Sequence, residues 1–81
     1  MSGRLPGMSL REILARNLLR LRAERGLSQE ELAHLAGLNR NYVGMIEREE
    51  NAATVDTMEQ LAAALDVGPI DLIDPDAASD K

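Results

Sequence analysis

The sequence contains no cysteine, phenylalanine or tryptophan, and Tyr42 is its only aromatic residue. The absence of cysteine excludes disulfide bonds and cysteine-ligated metal sites. β-Strands favour aromatic and β-branched side chains, of which this chain has few, whereas leucine and alanine dominate the 44% of residues that are hydrophobic. We therefore predict one all-α domain with an aliphatic core, since 81 residues leave little room for a second core.

Other absences limit the function. No apolar stretch approaches the ~20 residues that cross a bilayer, and the N-terminal segment lacks the continuous apolar block of a secretory signal, so we predict a cytoplasmic protein. The chain has one histidine, no glycine-rich phosphate loop and no carboxylate pair in a recognisable pocket. We therefore expect no enzymatic activity, no cofactor and no metal site. The single histidine, His34, is expected to be exposed on the second helix.

The net charge of −5 hides an uneven distribution. Residues 1–48 carry eight arginines against five glutamates, a net +3, whereas residues 49–81 carry one lysine against nine acidic residues, a net −8. A polyanion responds to the local field rather than to the total charge. The first half of the chain is therefore compatible with nucleic-acid binding, although the arginines could also lie on solvated helix faces.

Helical periodicity and capping residues divide the chain into a flexible leader (1–8), a compact domain (9–74) and a disordered acidic tail (75–81). Within the domain, the pattern predicts five helices at about 10–25, 29–36, 40–48, 55–65 and 70–73. Their boundaries follow from capping boxes at Ser9–Glu12 and Ser28–Glu31, N-caps at Asn39 and Thr54, and helix-ending glycines at Gly26 and Gly37. The apolar stripe of the fourth helix is expected to begin at Val55.

The second and third helices are joined by a short turn that contains Gly37, an arrangement typical of a helix-turn-helix motif. The stretch "GLSQEELAHLAGLNRNYVGMIERE", followed by "TVDTMEQLAAALDV", resembles the Cro/repressor-type helix-turn-helix family, also called the XRE family. The resemblance extends over about residues 10–73. Within that family, "NRNYVGMIER" is most similar to small stand-alone regulators, including restriction–modification controller proteins.

The resemblance implies a sequence-specific DNA-binding transcriptional regulator whose third helix enters the major groove. It implies DNA contacts from Gln29, Asn39, Arg40, Asn41, Tyr42, Met45 and Arg48. Arg40 can donate to guanine O6 and N7, Asn41 can pair with adenine, and Met45 can contact a thymine methyl group. Asn39, Tyr42 and Gln29 are expected to reach phosphates. Judged from the residues alone, Asn39 could instead be an N-cap, Arg40 a solvated charge and Tyr42 a packed ring.

The loop after the third helix departs from the family pattern. Many members carry glycine and basic residues there, whereas this chain has Glu49, Glu50 and Asn51. Carboxylates beside DNA would be repelled, so we expect either that the loop points away from DNA or that affinity is modest. Arg48 is expected to compensate in part.

One recognition helix makes few base contacts, and two-fold dimers overcome this limit by reading two half-sites. We therefore expect a homodimer on a palindromic operator. The apolar residues of the C-terminal part could form its interface or close the monomer core, and they are Val67, Ile70, Leu72 and Ile73. Arg22 and Glu47 resemble the internal ion pair of the family, which joins the first helix to the end of the third.

A different class of function stays open from the sequence. The same scaffold can serve as a protein-interaction module or an antitoxin with weak or no DNA binding, because a fold does not by itself establish a function. The acidic residues of 49–81 would suit a basic partner. Control by protein concentration or by another regulatory protein is expected in preference to control by a small molecule.

Overall fold

The computed structural model describes residues 7–79, which contain helices and no β-strand. The α-helices are α1 (Leu10–Glu24), α2 (Gln29–Ala36), α3 (Tyr42–Glu47), α4 (Val55–Leu65) and α5 (Pro75–Ser79), and a 3₁₀ helix spans Pro69–Leu72. The predicted all-α fold is confirmed. Most of the predicted leader, residues 1–6, and the last residues of the predicted tail, 80 and 81, lie outside the described part of the chain.

Side-chain caps set most of the helix starts. Ser28 accepts the backbone N–H of Glu31 at 3.0 Å, and the Glu31 carboxylate accepts the N–H of Ser28 at 2.8 Å, so the capping box of α2 is complete. Thr54 starts α4 in the same way, with its hydroxyl accepting from the N–H of Thr57 at 3.0 Å. At α1 only half of the predicted box forms, because the carboxylate of Glu12 pairs with Arg16 instead.

The start of α3 differs from the prediction. Asn39 is not its N-cap: the helix begins at Tyr42, and the preceding Asn41 makes no capping bond through its side chain. The Asn39 side chain instead accepts the N–H of Asn41 at 2.9 Å, the turn that asparagine commonly forms with the backbone two residues on. Arg40 and Asn41 therefore lie on the turn that leads into α3 and not on the helix itself.

The core is aliphatic, as the composition predicts. Its fully buried large side chains are Ile13, Leu18, Leu32, Val43, Ile46, Leu61, Leu65 and Leu72. Packing joins α1 to α3 and α2 to α4, and each such side chain contributes about 1.5–3 kcal/mol by leaving water. Val55 was expected to begin the apolar stripe of α4 and is 69% exposed, whereas Thr57 in the same turn is buried.

The C-terminal part is attached to α1 through a buried asparagine that the sequence pattern did not single out. Asn17 donates through Nδ2 to the carbonyl oxygens of Leu72 at 3.0 Å and of Asp74 at 3.1 Å. These bonds hold the end of the 3₁₀ helix against α1. Leu72 is fully buried in the core, so it is not available to a dimer surface.

Disorder was expected from residue 75 onward, but residues 75–79 form α5, which packs on α1. Pro75 suits the first position of a helix, and the Asp74 carboxylate accepts the N–H of Asp76 at 3.0 Å. This bond, together with the proline, accounts for the start of α5 at residue 75. No helix within residues 7–79 is long and apolar enough to cross a membrane.

Candidate nucleic-acid interface

A sharp turn places α3 across α2. Gly37 ends α2 with φ +74°, a left-handed conformation that glycine adopts without steric cost. The N–H of Leu38 then donates to the carbonyl of Ala33 at 2.8 Å, and the Leu38 side chain packs against the core. Because the turn is fixed on both sides, the residues from Asn39 onward are presented to solvent at the start of α3.

The start of α3 and the following loop form a shallow, open pocket of about 360 Å³. It is lined by Asn39, Asn41, Tyr42, Met45 and Asn51. Three carboxamides, a phenol and a thioether supply hydrogen-bond donors, acceptors and an apolar contact, which are the groups that read base edges and sugar-phosphate. Asn51 is a member that sequence analysis missed, since its loop was considered only for its charge.

Arg40 lies beside this pocket and is engaged by a glutamate. Its Nη2 is 2.7 Å from Oε2 of Glu30, in the first turn of α2. Both side chains are largely exposed, at 73% and 63%, so the pair is weak and easily exchanged, since such pairs contribute about 0–1 kcal/mol. Arg40 and Glu30 are ten residues apart in the sequence, and that spacing does not predict a contact, because the contact depends on the turn between α2 and α3.

Arg48, at the other end of α3, is engaged in the same way. Its Nε and Nη2 donate to the Glu50 carboxylate at 2.9 and 3.1 Å. The hydrogen bonds lower the pKa of the Glu50 carboxyl and raise the pKa of Arg48. Both side chains are more than half exposed. The loop turns at Glu49, which has φ +62°.

Glu47, the last residue of α3, ties this end of the helix to α1 and α2. Its carboxylate accepts from Arg22 Nε at 2.8 Å and Nη2 at 3.0 Å, and from Gln29 Nε2 at 2.9 Å. The Glu47 side chain is only 7% exposed, and its hydrogen bond raises the pKa of Arg22. Arg22 also donates to the carbonyl of Leu27 at 2.9 Å, so one network joins α1, α2 and α3.

Gly44 lets side chains lie across the face of α3. A Cβ at this position would be 3.0 Å from Oε1 of Gln29 and 3.0 Å from Nη1 of Arg48. Both contacts are with the ends of flexible side chains, which would have to move aside. Gln29 therefore sits over α3, with its amide oriented by Glu47.

The predicted sites are brought together unevenly. Four of the seven expected DNA contacts line one pocket, Arg40 and Arg48 flank α3, and Gln29 lies across the helix. Of the expected dimer residues, Ile70 is 70% exposed, whereas Val67 and Ile73 pack partly against the core. His34 is exposed, as expected. Within residues 7–79, no group of three or more histidine, aspartate or glutamate side chains is placed to hold a metal ion.

Comparison with known proteins gives consistent results. The sequence model of a family described as helix-turn-helix matches residues 18–72. Control protein C.SmaI of Serratia marcescens is 47% identical over 58 residues, which cover 72% of this chain and 69% of that protein. An uncharacterized HTH-type transcriptional regulator, y4dJ of Sinorhizobium fredii, is 38% identical over 68 residues, covering 84% and 88%.

Two solved structures are similar over most of their length. The restriction–modification controller protein C.AhdI from Aeromonas hydrophila superposes with a TM-score of 0.74 at 42% identity, covering 76% of this chain and 94% of that one. The hypothetical transcription factor NHTF from Neisseria gives a TM-score of 0.80 at 39% identity, covering 90% and 85%.

Proposed function

This chain belongs to the helix-turn-helix family of DNA-binding transcriptional regulators, and from this premise we propose that it reads a specific sequence with the start of α3 in the major groove. The observation that carries the proposal is the pocket at the start of α3, where Asn39, Asn41, Tyr42 and Met45 meet at the surface. In helix-turn-helix proteins this end of the recognition helix faces the base edges.

Base readout falls to three residues on and before α3. Arg40, on the exposed turn, has the guanidinium geometry for two bonds to guanine O6 and N7. Asn41 is exposed beside it and can pair with adenine N6 and N7, and Met45 offers an apolar contact to a thymine methyl group. Their positions along one short segment suit readout of a few adjacent base pairs.

Phosphate contacts fall to the surrounding residues, namely Asn39, Tyr42, Arg48 and Gln29. An amide nitrogen has two hydrogens, and Gln29 uses one on Glu47. The second hydrogen remains for a phosphate, and Glu47 holds the amide in place for it. These contacts would fix the register of the protein on DNA without reading sequence.

We further propose that the protein acts as a homodimer on a palindromic operator. A single α3 offers few base contacts, and two-fold dimers of this motif read half-sites ~34–36 Å apart or a multiple of that distance. Ile70, with Val67 and Ile73 beside it, is the apolar surface available for the interface. As a regulator acting on DNA, it would work in the cytoplasm together with its target.

A selection from random-sequence duplexes with the purified protein tests the proposal. We expect enrichment of an inverted repeat, and a half-site that contains guanine where Arg40 docks. In the Arg40→Ala variant, preference at one base position should relax by about 1–3 kcal/mol. A pool that stays unenriched would contradict DNA readout and favour the protein-interaction alternative.

A further inference from the structure

Both arginines that flank α3 are occupied by glutamates in the free protein. Glu30 reaches Arg40 from the first turn of α2, and Glu50 reaches Arg48 from the loop after α3. A carboxylate on a guanidinium uses the same donors and much the same geometry as a phosphate. Arg48 is proposed to bind phosphate, and Arg40, proposed to read guanine in an operator, can bind only phosphate on DNA that lacks that guanine. Each of them already holds an internal anion in the free protein.

These two pairs differ from the other ion pairs among the described residues. Arg16–Glu12 and Arg20–Glu24 join neighbouring turns of α1, the usual spacing on a helix surface, and Arg25–Glu24 is a long 4.0 Å contact between adjacent residues at the end of α1. Arg22–Glu47 is nearly enclosed and braces the fold. The two remaining pairs, Arg40–Glu30 and Arg48–Glu50, lie at the two ends of α3. Both side chains of each pair are exposed, and neither pair contains a buried residue. They can exchange partners without disturbing the core.

We propose that Glu30 and Glu50 compete with DNA phosphate for Arg40 and Arg48, and so restrain binding to DNA of random sequence. This inference rests on the proposed function. Replacing a carboxylate by a phosphate on the same guanidinium gains little, because one anion substitutes for another. The released glutamate is then left beside DNA, where it is repelled and takes up a cation. A random sequence offers nothing further, whereas an operator adds base contacts.

Charge-neutral variants test this competition. Glu30→Gln and Glu50→Gln keep the side-chain shape and free one arginine each. Glu49→Gln is the matched control: it makes the same charge change in the same loop, and within residues 7–79 its side chain forms no ion pair. Glu59→Gln, on the exposed face of α4, controls for the same change in net charge on another helix.

The readout is fluorescence anisotropy with a labelled duplex of random sequence, measured from about 50 mM to about 200 mM salt, where phosphate-driven binding changes most. We expect Glu30→Gln and Glu50→Gln each to tighten binding by about two- to fivefold beyond Glu49→Gln, in line with the strength of exposed pairs. The slope of log affinity against log salt should steepen by about 0.9 for each freed arginine. Thermal melting verifies that each variant is folded.

A double-mutant cycle tests whether the tighter binding of Glu50→Gln depends on Arg48. In an Arg48→Ala background, Glu50→Gln should do no more than Glu49→Gln, because no arginine remains to be freed. If Glu30→Gln and Glu50→Gln match Glu49→Gln while the wild-type protein binds DNA, the competition is refuted and the proposed function stands. If neither the wild type nor any variant binds a duplex at low salt, the proposed function fails, and the inference fails with it.

Discussion

The buried contact between α1 and the C-terminal part allows a quantitative prediction for Asn17→Ala. Asn17 is fully buried, and its amide is the donor for the carbonyls of Leu72 and Asp74. Alanine removes both bonds. The Leu72 carbonyl is then a buried acceptor without a partner, which costs about 1–3 kcal/mol. The bond to the half-buried Asp74 carbonyl is worth about 0.5–1.5 kcal/mol, since that carbonyl also accepts the N–H of Ala78 at 3.2 Å and is not left without a partner.

Together these losses should lower the free energy of unfolding by about 1.5–4.5 kcal/mol. A domain of 81 residues has roughly 4–12 kcal/mol in total, so the loss is a large fraction of the stability. The melting temperature should fall by at least about 6 °C, given about 4 °C or more for each kcal/mol in a domain of this size.

Urea unfolding followed by far-ultraviolet circular dichroism measures this change. Asn51→Ala is the matched control: it makes the same substitution at an exposed position, where changes normally stay within about 0.5 kcal/mol. A lower midpoint with an unchanged slope reports lost stability. If Asn17→Ala unfolds at the same midpoint as Asn51→Ala, then the amide does not hold the 3₁₀ helix on α1, and the reasoning fails.

Three further predictions address the network, the dimer and the ion pair. Glu47→Ala should lower the free energy of unfolding, measured with denaturant, by about 3 kcal/mol because it leaves the Arg22 guanidinium enclosed without its partner. If the double variant Arg22→Ala/Glu47→Ala loses as much stability as the two single variants added together, the two residues are not coupled. If the protein forms the proposed dimer through Ile70, Ile70→Glu should lower its sedimentation coefficient to that of a monomer and leave the fold intact, since Ile70 is exposed. A wild type that already sediments as a monomer would contradict the dimer, and a dimer unaffected by Ile70→Glu would contradict this interface. In a nuclear magnetic resonance titration, the pKa of the Glu50 carboxyl should lie below its ordinary value of 4.5 and return toward that value in Arg48→Ala. The stabilisation by the Arg48–Glu50 pair is therefore present above pH 4.5 and is lost as the pH falls through the lowered pKa. A Glu50 titration unaffected by Arg48→Ala would refute the pairing.

Local signals allowed much of the fold to be predicted. The bounds of α2 and α4 follow from hydroxyl caps that also occur in the structure, and the aliphatic core follows from composition and periodicity. The family assignment made from residues 10–73 is confirmed by the match over 18–72. The caps and the apolar stripes depend on residues within one or two helical turns of each other, so the sequence displays them directly.

Long-range contacts were beyond the same reasoning. Asn17 bonds to carbonyls more than fifty residues away, and neither hydrophobic nor capping patterns mark a polar residue for burial. The start of α3 was predicted two residues early because an asparagine serves equally well as a helix cap or as a turn former. Arg40 was selected by its place in the motif, but its partner Glu30 required the geometry of the turn.

The acidic half of the chain first argued against DNA and for a basic protein partner, and the structure weakens that argument. Asp71 accepts the N–H of Gly68 at 3.0 Å, and Asp74 accepts the N–H of Asp76, so both carboxylates cap local structure. Asp56 stands in the first turn of α4, where a negative charge is favoured by the helix dipole. These acids therefore have structural reasons to be present that require no partner. Of the two glutamates in the loop after α3, Glu50 is paired with Arg48, whereas Glu49 is exposed and forms no ion pair among residues 7–79. A negative total charge is thus compatible with a DNA-binding surface around α3.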